Sequence, residues 1–172
     1  MSSNIVLTGF MGTGKSTIGK RIAARLGRKF IDTDTLVEQK SGKTIAALFM
    51  ERGEPYFRTL EREAIDQVCT EEGLVVATGG GALVNEENVR KLKASGAVIC
   101  LTATPEIILS RVQGNTDRPL LQSEDLLEKI RTLLAARADA YAKADLTIDT
   151  TCLNVEAVVE KICSQLFISL RT

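Results

Sequence analysis

Eight consecutive residues near the start, Gly9-Phe10-Met11-Gly12-Thr13-Gly14-Lys15-Ser16, constrain this chain more than any other stretch. They follow an apolar run over residues 4–8 that reads as a buried strand. They open a helical pattern over 15–26, with Ile18, Ile22 and Leu26 on one face and Gly27 as its stop. G-x-x-x-x-G-K-[ST] between a strand and a helix is a phosphate cradle. The glycines let backbone N–H groups converge on phosphate oxygens, and the helix adds the positive end of its dipole. In such a cradle Lys15 reaches the outer phosphates and the Ser16 hydroxyl binds Mg²⁺. Gly12, Thr13, Gly14 and Thr17 complete the expected nucleotide contacts. Chance produces the pattern in on the order of 1% of chains this long, and its place between strand and helix lowers that further.

The rest of the chain repeats the alternation. Residues 29–32, 74–77, 97–102 and 146–149 are short, apolar and often β-branched, as buried parallel strands are. Helical periods lie at 35–40, 45–52, 54–70, 86–95, 105–112, 124–143 and 155–166. Pro105 suits a first helical turn and Asn154 an N-cap. The pattern predicts a three-layer α/β/α fold, a five-stranded parallel sheet flanked by helices, in one domain over residues 1–172. Residues 113–122 lack periodicity and hold Gly114, Asn115 and Pro119; they are expected to form a mobile lid.

Composition removes whole classes of function. There is no histidine, which excludes Ser-His-Asp and Cys-His triads and histidine-ligated zinc. Lys+Arg equals Asp+Glu at 22 each, so no basic excess points to nucleic acid. No apolar run approaches the roughly 18 residues that cross a membrane. Residues 1–4 carry no basic stretch and the apolar run after them meets glycine at once, which is no signal peptide. The four cysteines, at 69, 100, 152 and 163, form no C-x-x-C pair and read as reduced core or near-core residues of a cytoplasmic protein.

The second strand ends in Asp32-Thr33-Asp34, at the sheet edge where open α/β folds bind ligands. One acid can serve the metal and the other an acceptor; the alternative is a pair capping the next helix. Neither an N-K-x-D guanine reader nor a D-x-x-G switch is present, which favours ATP over GTP.

Several ordered motifs together resemble the shikimate kinase family: the cradle, Asp32-Thr33-Asp34, Gly53-Glu54-Pro55-Tyr56-Phe57-Arg58, Thr78-Gly79-Gly80-Gly81, Arg118-Pro119-Leu120-Leu121, and Arg137 with Tyr141. The resemblance runs from residue 5 to about residue 141. It implies a nucleoside-monophosphate-kinase-like fold, with ATP and shikimate as substrates and Mg²⁺ as cofactor. The implied reaction carries the γ-phosphoryl group to shikimate's 3-hydroxyl, a step of aromatic amino acid (chorismate) biosynthesis. It implies an acceptor-binding region at 33–61, with Arg58 and Arg137 on the substrate carboxylate and Glu61 holding Arg58. Gly79, Gly80 and Gly81 would approach the substrate, and Asp34 would meet the reacting hydroxyl. Asp32 would stand on the magnesium side and Arg118 over the transferring phosphate. Arg111 matches a residue near adenine, though the helix-end dipole explains a cation there equally well. A cytoplasmic monomer, with no nucleic-acid or membrane partner, is implied as well.

The sequence departs from the family in two places. Thr151-Cys152-Leu153-Asn154 lacks the usual proline before the last helix, and Ala46-Ala47 lacks an expected glutamate. No plastid transit region precedes the cradle, as expected of a bacterial enzyme. The rival readings are a gluconate-kinase-like enzyme and a non-catalytic ATP-binding module. The second would be expected to lose Lys15, Asp34 or Arg118, and the chain keeps all three.

Overall fold

The computed structural model describes residues 3–113 and 125–169. Arg118 and the predicted lid, Gln113 apart, lie outside the described residues. Five strands, β1 (Asn4–Gly9), β2 (Phe30–Asp32), β3 (Val75–Ala77), β4 (Gly96–Thr102) and β5 (Leu146–Asp149), form one sheet in the order β2-β3-β1-β4-β5. Every pairing is parallel. Seven helices are described: α1 (Lys15–Leu26), α2 (Thr33–Ser41), α3 (Ile45–Cys69), α4 (Glu86–Ser95), α5 (Pro105–Val112), α6 (Leu126–Tyr141) and α7 (Val155–Ser169). This is the predicted three-layer architecture.

The period-2 rule of a strand explains the two core layers. Along β1, Ile5 and Leu7 point to one face and meet Ile18 and Ile22 of α1 and Val158, Val159 and Ile162 of α7. Val6, between them, points to the other face and meets Ile65 and Val68 of α3 and Val89 and Leu92 of α4. A third cluster, holding Phe10, Met11, Ile108, Val112, Ile130 and Tyr141, packs α5 and α6 beside the loop after β1. In register, Asp32 lies beside Ala77 and Gly9 beside Leu101, so the loops after β1, β2 and β3 leave one common edge.

The structure departs from the sequence reading in a few places, each with a physical cause. The helices expected at 45–52 and 54–70 are both present, and what the sequence reading lacked is that they abut within α3 at a kink at Gly53, whose φ of 79° lies in the left-handed region. Pro55, just beyond, has no backbone N–H with which to bridge that break. α2 begins two residues early, at Thr33, because Asp32 caps it through the N–H groups of Asp34 and Thr35. A single 3₁₀ turn at Ala82–Val84 is too short to leave a period in the sequence. Cys100 and Cys163 are buried and Cys69 is half-buried, but Cys152 is exposed in the turn before α7, not in or near the core. Among the described residues no helix is long and apolar enough to cross a membrane.

Candidate active site

The cradle is a piece of main chain held in an unusual shape. Gly14 caps α1 at φ 93°, and no side chain caps that helix. Its first-turn N–H groups are therefore left for an anion. Thr13 ties the loop to itself, its hydroxyl donating to the Phe10 carbonyl at 2.7 Å. Lys15 folds back over the loop and donates to the carbonyls of Gly9 and Phe10, both at 2.9 Å. Ser16 Oγ donates to Asp32 Oδ2 at 2.6 Å. Asp32 thus caps α2 through Oδ1, the alternative given for this acidic pair, while its Oδ2 accepts from Ser16 of the cradle.

Arg111, in the last turn of α5, donates to Thr150 Oγ1 at 3.0 Å, the Thr150 carbonyl at 2.9 Å and the Gly12 carbonyl at 3.3 Å. It joins the cradle to the loop after β5, a set of specific contacts that a helix dipole alone does not require. A cleft of about 200 Å³ opens here. Its walls include Gly12, Gly14, Lys15, Ser16, Thr17 and Arg111 from the cradle and α5, and Asp34, Thr78 and Gly80 from the loops after β2 and β3.

The wall opposite the cradle, where the acceptor residues are expected, is assembled from distant segments around the three glycines after β3. A Cβ added to Gly79 would lie 2.6 Å from Glu61 Oε1 and 2.8 Å from Asp34 Oδ1. One on Gly81 would lie 2.6 Å from Arg58 Nη2, and one on Gly80 would lie 3.4 Å from Arg137 Nη1. The predicted acceptor residues thus meet on one floor, and the glycines leave room for them. The Arg137 guanidinium also lies 5.7 Å from the centre of the Phe10 ring, against the cradle.

Charge on this wall is paired in advance. Arg58 donates to Glu61 Oε2 at 2.7 Å and to Glu54 Oε1 at 2.9 Å and 3.1 Å. Burial alone would lower the Arg58 pKa, but the charge and hydrogen bond of Glu61, then those of Glu54, turn the shift upward. Burial raises the Glu61 carboxyl above the ordinary carboxylate range, and the charge and hydrogen bond of Arg58 and the charge of Arg137 only partly reverse this. Glu61 Oε1 is buried without a hydrogen-bond partner among the described residues.

Three contacts went unread in the sequence. Glu54 is the second partner of Arg58, and its spacing four residues ahead on one helix was the available signal. Thr33 accepts from the Gly79 N–H at 3.2 Å, and Tyr141 donates to the Gly80 carbonyl at 2.7 Å. No local pattern announces contacts across 46 and 61 positions.

A cradle for nucleotide phosphates and a charged wall facing it across one cleft are the two halves of a small-molecule kinase of the P-loop class. Comparison with known proteins narrows that class. A family model described as shikimate kinase matches residues 11–167. The shikimate kinase of Geobacter sulfurreducens is 50% identical over 161 residues, covering 94% of this chain and 89% of that one. The shikimate kinase of Pelotomaculum thermopropionicum is 46% identical over 159 residues, covering 92% of each. Among solved structures, shikimate kinase from Acinetobacter baumannii in complex with shikimate matches at a TM-score of 0.93 and 39% identity, covering 98% of this chain and 94% of that one. The chain belongs to the shikimate kinase family, and it is an ATP-dependent kinase.

Proposed function

We propose that this chain transfers the γ-phosphoryl group of ATP to the 3-hydroxyl of shikimate, giving shikimate 3-phosphate and ADP. The observation that carries the proposal is the meeting of Asp34, Arg58 and Arg137 on the glycine floor, beside the cradle. Shikimate has a carboxylate and three hydroxyls, so its site needs a cationic end and a hydroxyl-binding end. Arg58 and Arg137 supply the first, because a planar guanidinium binds both oxygens of a carboxylate. Glu61 and Glu54 keep Arg58 in position. Asp34 supplies the second. The N–H and C=O groups of Gly79, Gly80 and Gly81 line the ring between them.

Phosphoryl transfer passes through a loose transition state, so the attacking hydroxyl needs orientation before it needs deprotonation. Asp34 orients it and accepts its proton late. Lys15, together with Arg118, balances charge on the equatorial oxygens. Ser16 Oγ and the Asp32 carboxylate are hard oxygen donors and fit Mg²⁺, which takes one or two protein ligands and fills its remaining positions with phosphates and water. Among the described residues no cluster of three or more metal-binding side chains argues for a different ion. When bound, the ion supplies charge neutralisation across the β- and γ-phosphates. Arg111 fixes the nucleotide side of the cleft. The protein acts as a cytoplasmic monomer in chorismate biosynthesis.

The test is product identity. Incubation with Mg-ATP and shikimate should release ADP and give a monophosphate whose phosphorus couples to the proton on carbon 3 in NMR. A phosphate on another hydroxyl, or ADP release without a phosphorylated shikimate, would contradict the reading.

A further inference from the structure

The three glycines carry no side chains, so their position depends on what grips their backbone. At its start the segment is tied to β1, Thr78 N–H donating to the Leu7 carbonyl at 2.9 Å. At its end it curls into the 3₁₀ turn, Ala82 N–H donating to the Gly79 carbonyl and Val84 N–H to the Gly81 carbonyl, each at 3.1 Å. Two hydroxyls bond to the backbone of this segment, Thr33 accepting from the Gly79 N–H and Tyr141 donating to the Gly80 carbonyl. Both are buried, Thr33 completely. Each sits on the element that carries one end of the acceptor site. Thr33 directly precedes Asp34 at the start of α2. Tyr141 lies one helical turn beyond Arg137 on α6.

From this we infer that Thr33 and Tyr141 are positioning residues for the phosphoryl-acceptor site. Thr33 sets the distance from the glycine floor to Asp34, and Tyr141 sets the distance from that floor to Arg137. The inference rests on the shikimate kinase reading. The Tyr141 hydroxyl donates to the Gly80 carbonyl at 2.7 Å, and the positive charge of Arg137 acts on the same oxygen. Burial pushes it up to about 12 against the charge of Arg137, so it remains a donor at any working pH. Phenylalanine would fill the same space in the cluster with Phe10 and Met11 while cutting the bond to the Gly80 carbonyl.

The two residues should then fail in different ways. Tyr141→Phe loosens the carboxylate end and should raise KM for shikimate about two- to tenfold, the worth of one hydrogen bond, with kcat little changed. It should also shrink the preference for shikimate over its methyl ester. Thr33→Val loosens the Asp34 end and should lower kcat about two- to tenfold with KM for shikimate within a factor of two. Thr33→Ser, which keeps the hydroxyl, should restore kcat. KM for ATP should stay at the wild-type value in all three.

The experiment is steady-state kinetics with shikimate, its methyl ester and ATP on wild type and the three variants, with thermal unfolding of each. A KM rise in Tyr141→Phe, a kcat fall in Thr33→Val and recovery in Thr33→Ser are the expected result. Should Thr33→Val not fold, Tyr141→Phe alone decides. Unchanged shikimate KM in Tyr141→Phe overturns the inference, as does a uniform loss of activity that follows melting temperature. Wild type inactive on shikimate overturns the underlying reading and the inference with it. Wild type active with unchanged variants overturns the positioning role alone.

Discussion

The two sides of the cleft are built on opposite plans. The cradle is contiguous main chain, bent by glycine and steadied by contacts within itself. The acceptor wall is made of side chains from α2, α3, the glycine segment and α6, held by ion pairs and hydroxyls across long sequence separations. A main-chain site is hard to damage by trimming side chains, Lys15 excepted. A side-chain site should respond to each residue in proportion to what that residue touches. The comparison therefore predicts steep loss of turnover from one cradle residue and graded, substrate-selective losses from the wall.

The largest effect expected is from Lys15→Met. It should lower kcat on the order of 100- to 1000-fold with the thermal melting of the domain preserved, because Lys15 acts on charge that builds in the transition state. Near-normal kcat would mean the cradle has been misread.

Next come the arginines of the wall. Arg58→Leu or Arg137→Leu should raise the shikimate dissociation constant about ten- to a hundredfold, as charge-assisted hydrogen bonds of about 1.5–3 kcal/mol imply. The double variant should lose less than the sum if, as proposed, both serve one carboxylate. ATP affinity should hold throughout, and calorimetry on the three variants checks it. Equal losses for ATP and shikimate would erase the distinction between the two sides.

Gly79→Ala sharpens the comparison further. Its methyl would press on Glu61 and Asp34 together, so kcat/KM for shikimate should fall by about tenfold. Unchanged kcat/KM would show that the floor is not in contact with the acceptor.

The smallest effect is a pH dependence of stability from Glu61. Its folded-state pKa lies above the ordinary 4.5, so its contribution is complete below that value and is lost as pH rises through the raised one. The stability of wild type relative to Glu61→Gln, from urea unfolding at several pH values, should therefore decline across that window. A difference that is flat with pH would contradict the burial of Glu61 as the cause.

How much the sequence revealed follows from the same contrast. The cradle was readable because its chemistry is local, and α1, α4, α5 and β5 fall where period and capping residues put them. Glu61 beside Arg58 was readable because a helix brings i and i+3 together. The kink inside α3 was legible as two helices either side of Gly53, because a residue that readily takes a positive φ breaks the helical run there. Tyr141 on Gly80 and Thr33 on Gly79 depend on how β3 and α6 pack, which no window of the sequence contains. Arg58 and Arg137 were assigned to one anion by resemblance to a family, not by periodicity; packing is what brings them to one floor.

The central claim is that this cleft accepts a phosphoryl group on shikimate. Its most direct test is ADP release from Mg-ATP by the purified chain with shikimate, quinate, gluconate and nucleoside monophosphates, each over a range of concentrations. The account predicts a kcat/KM for shikimate far above every other acceptor, because the wrong acceptor leaves Asp34 or an arginine of the wall without its partner. A comparable kcat/KM with gluconate or a nucleoside monophosphate would contradict it.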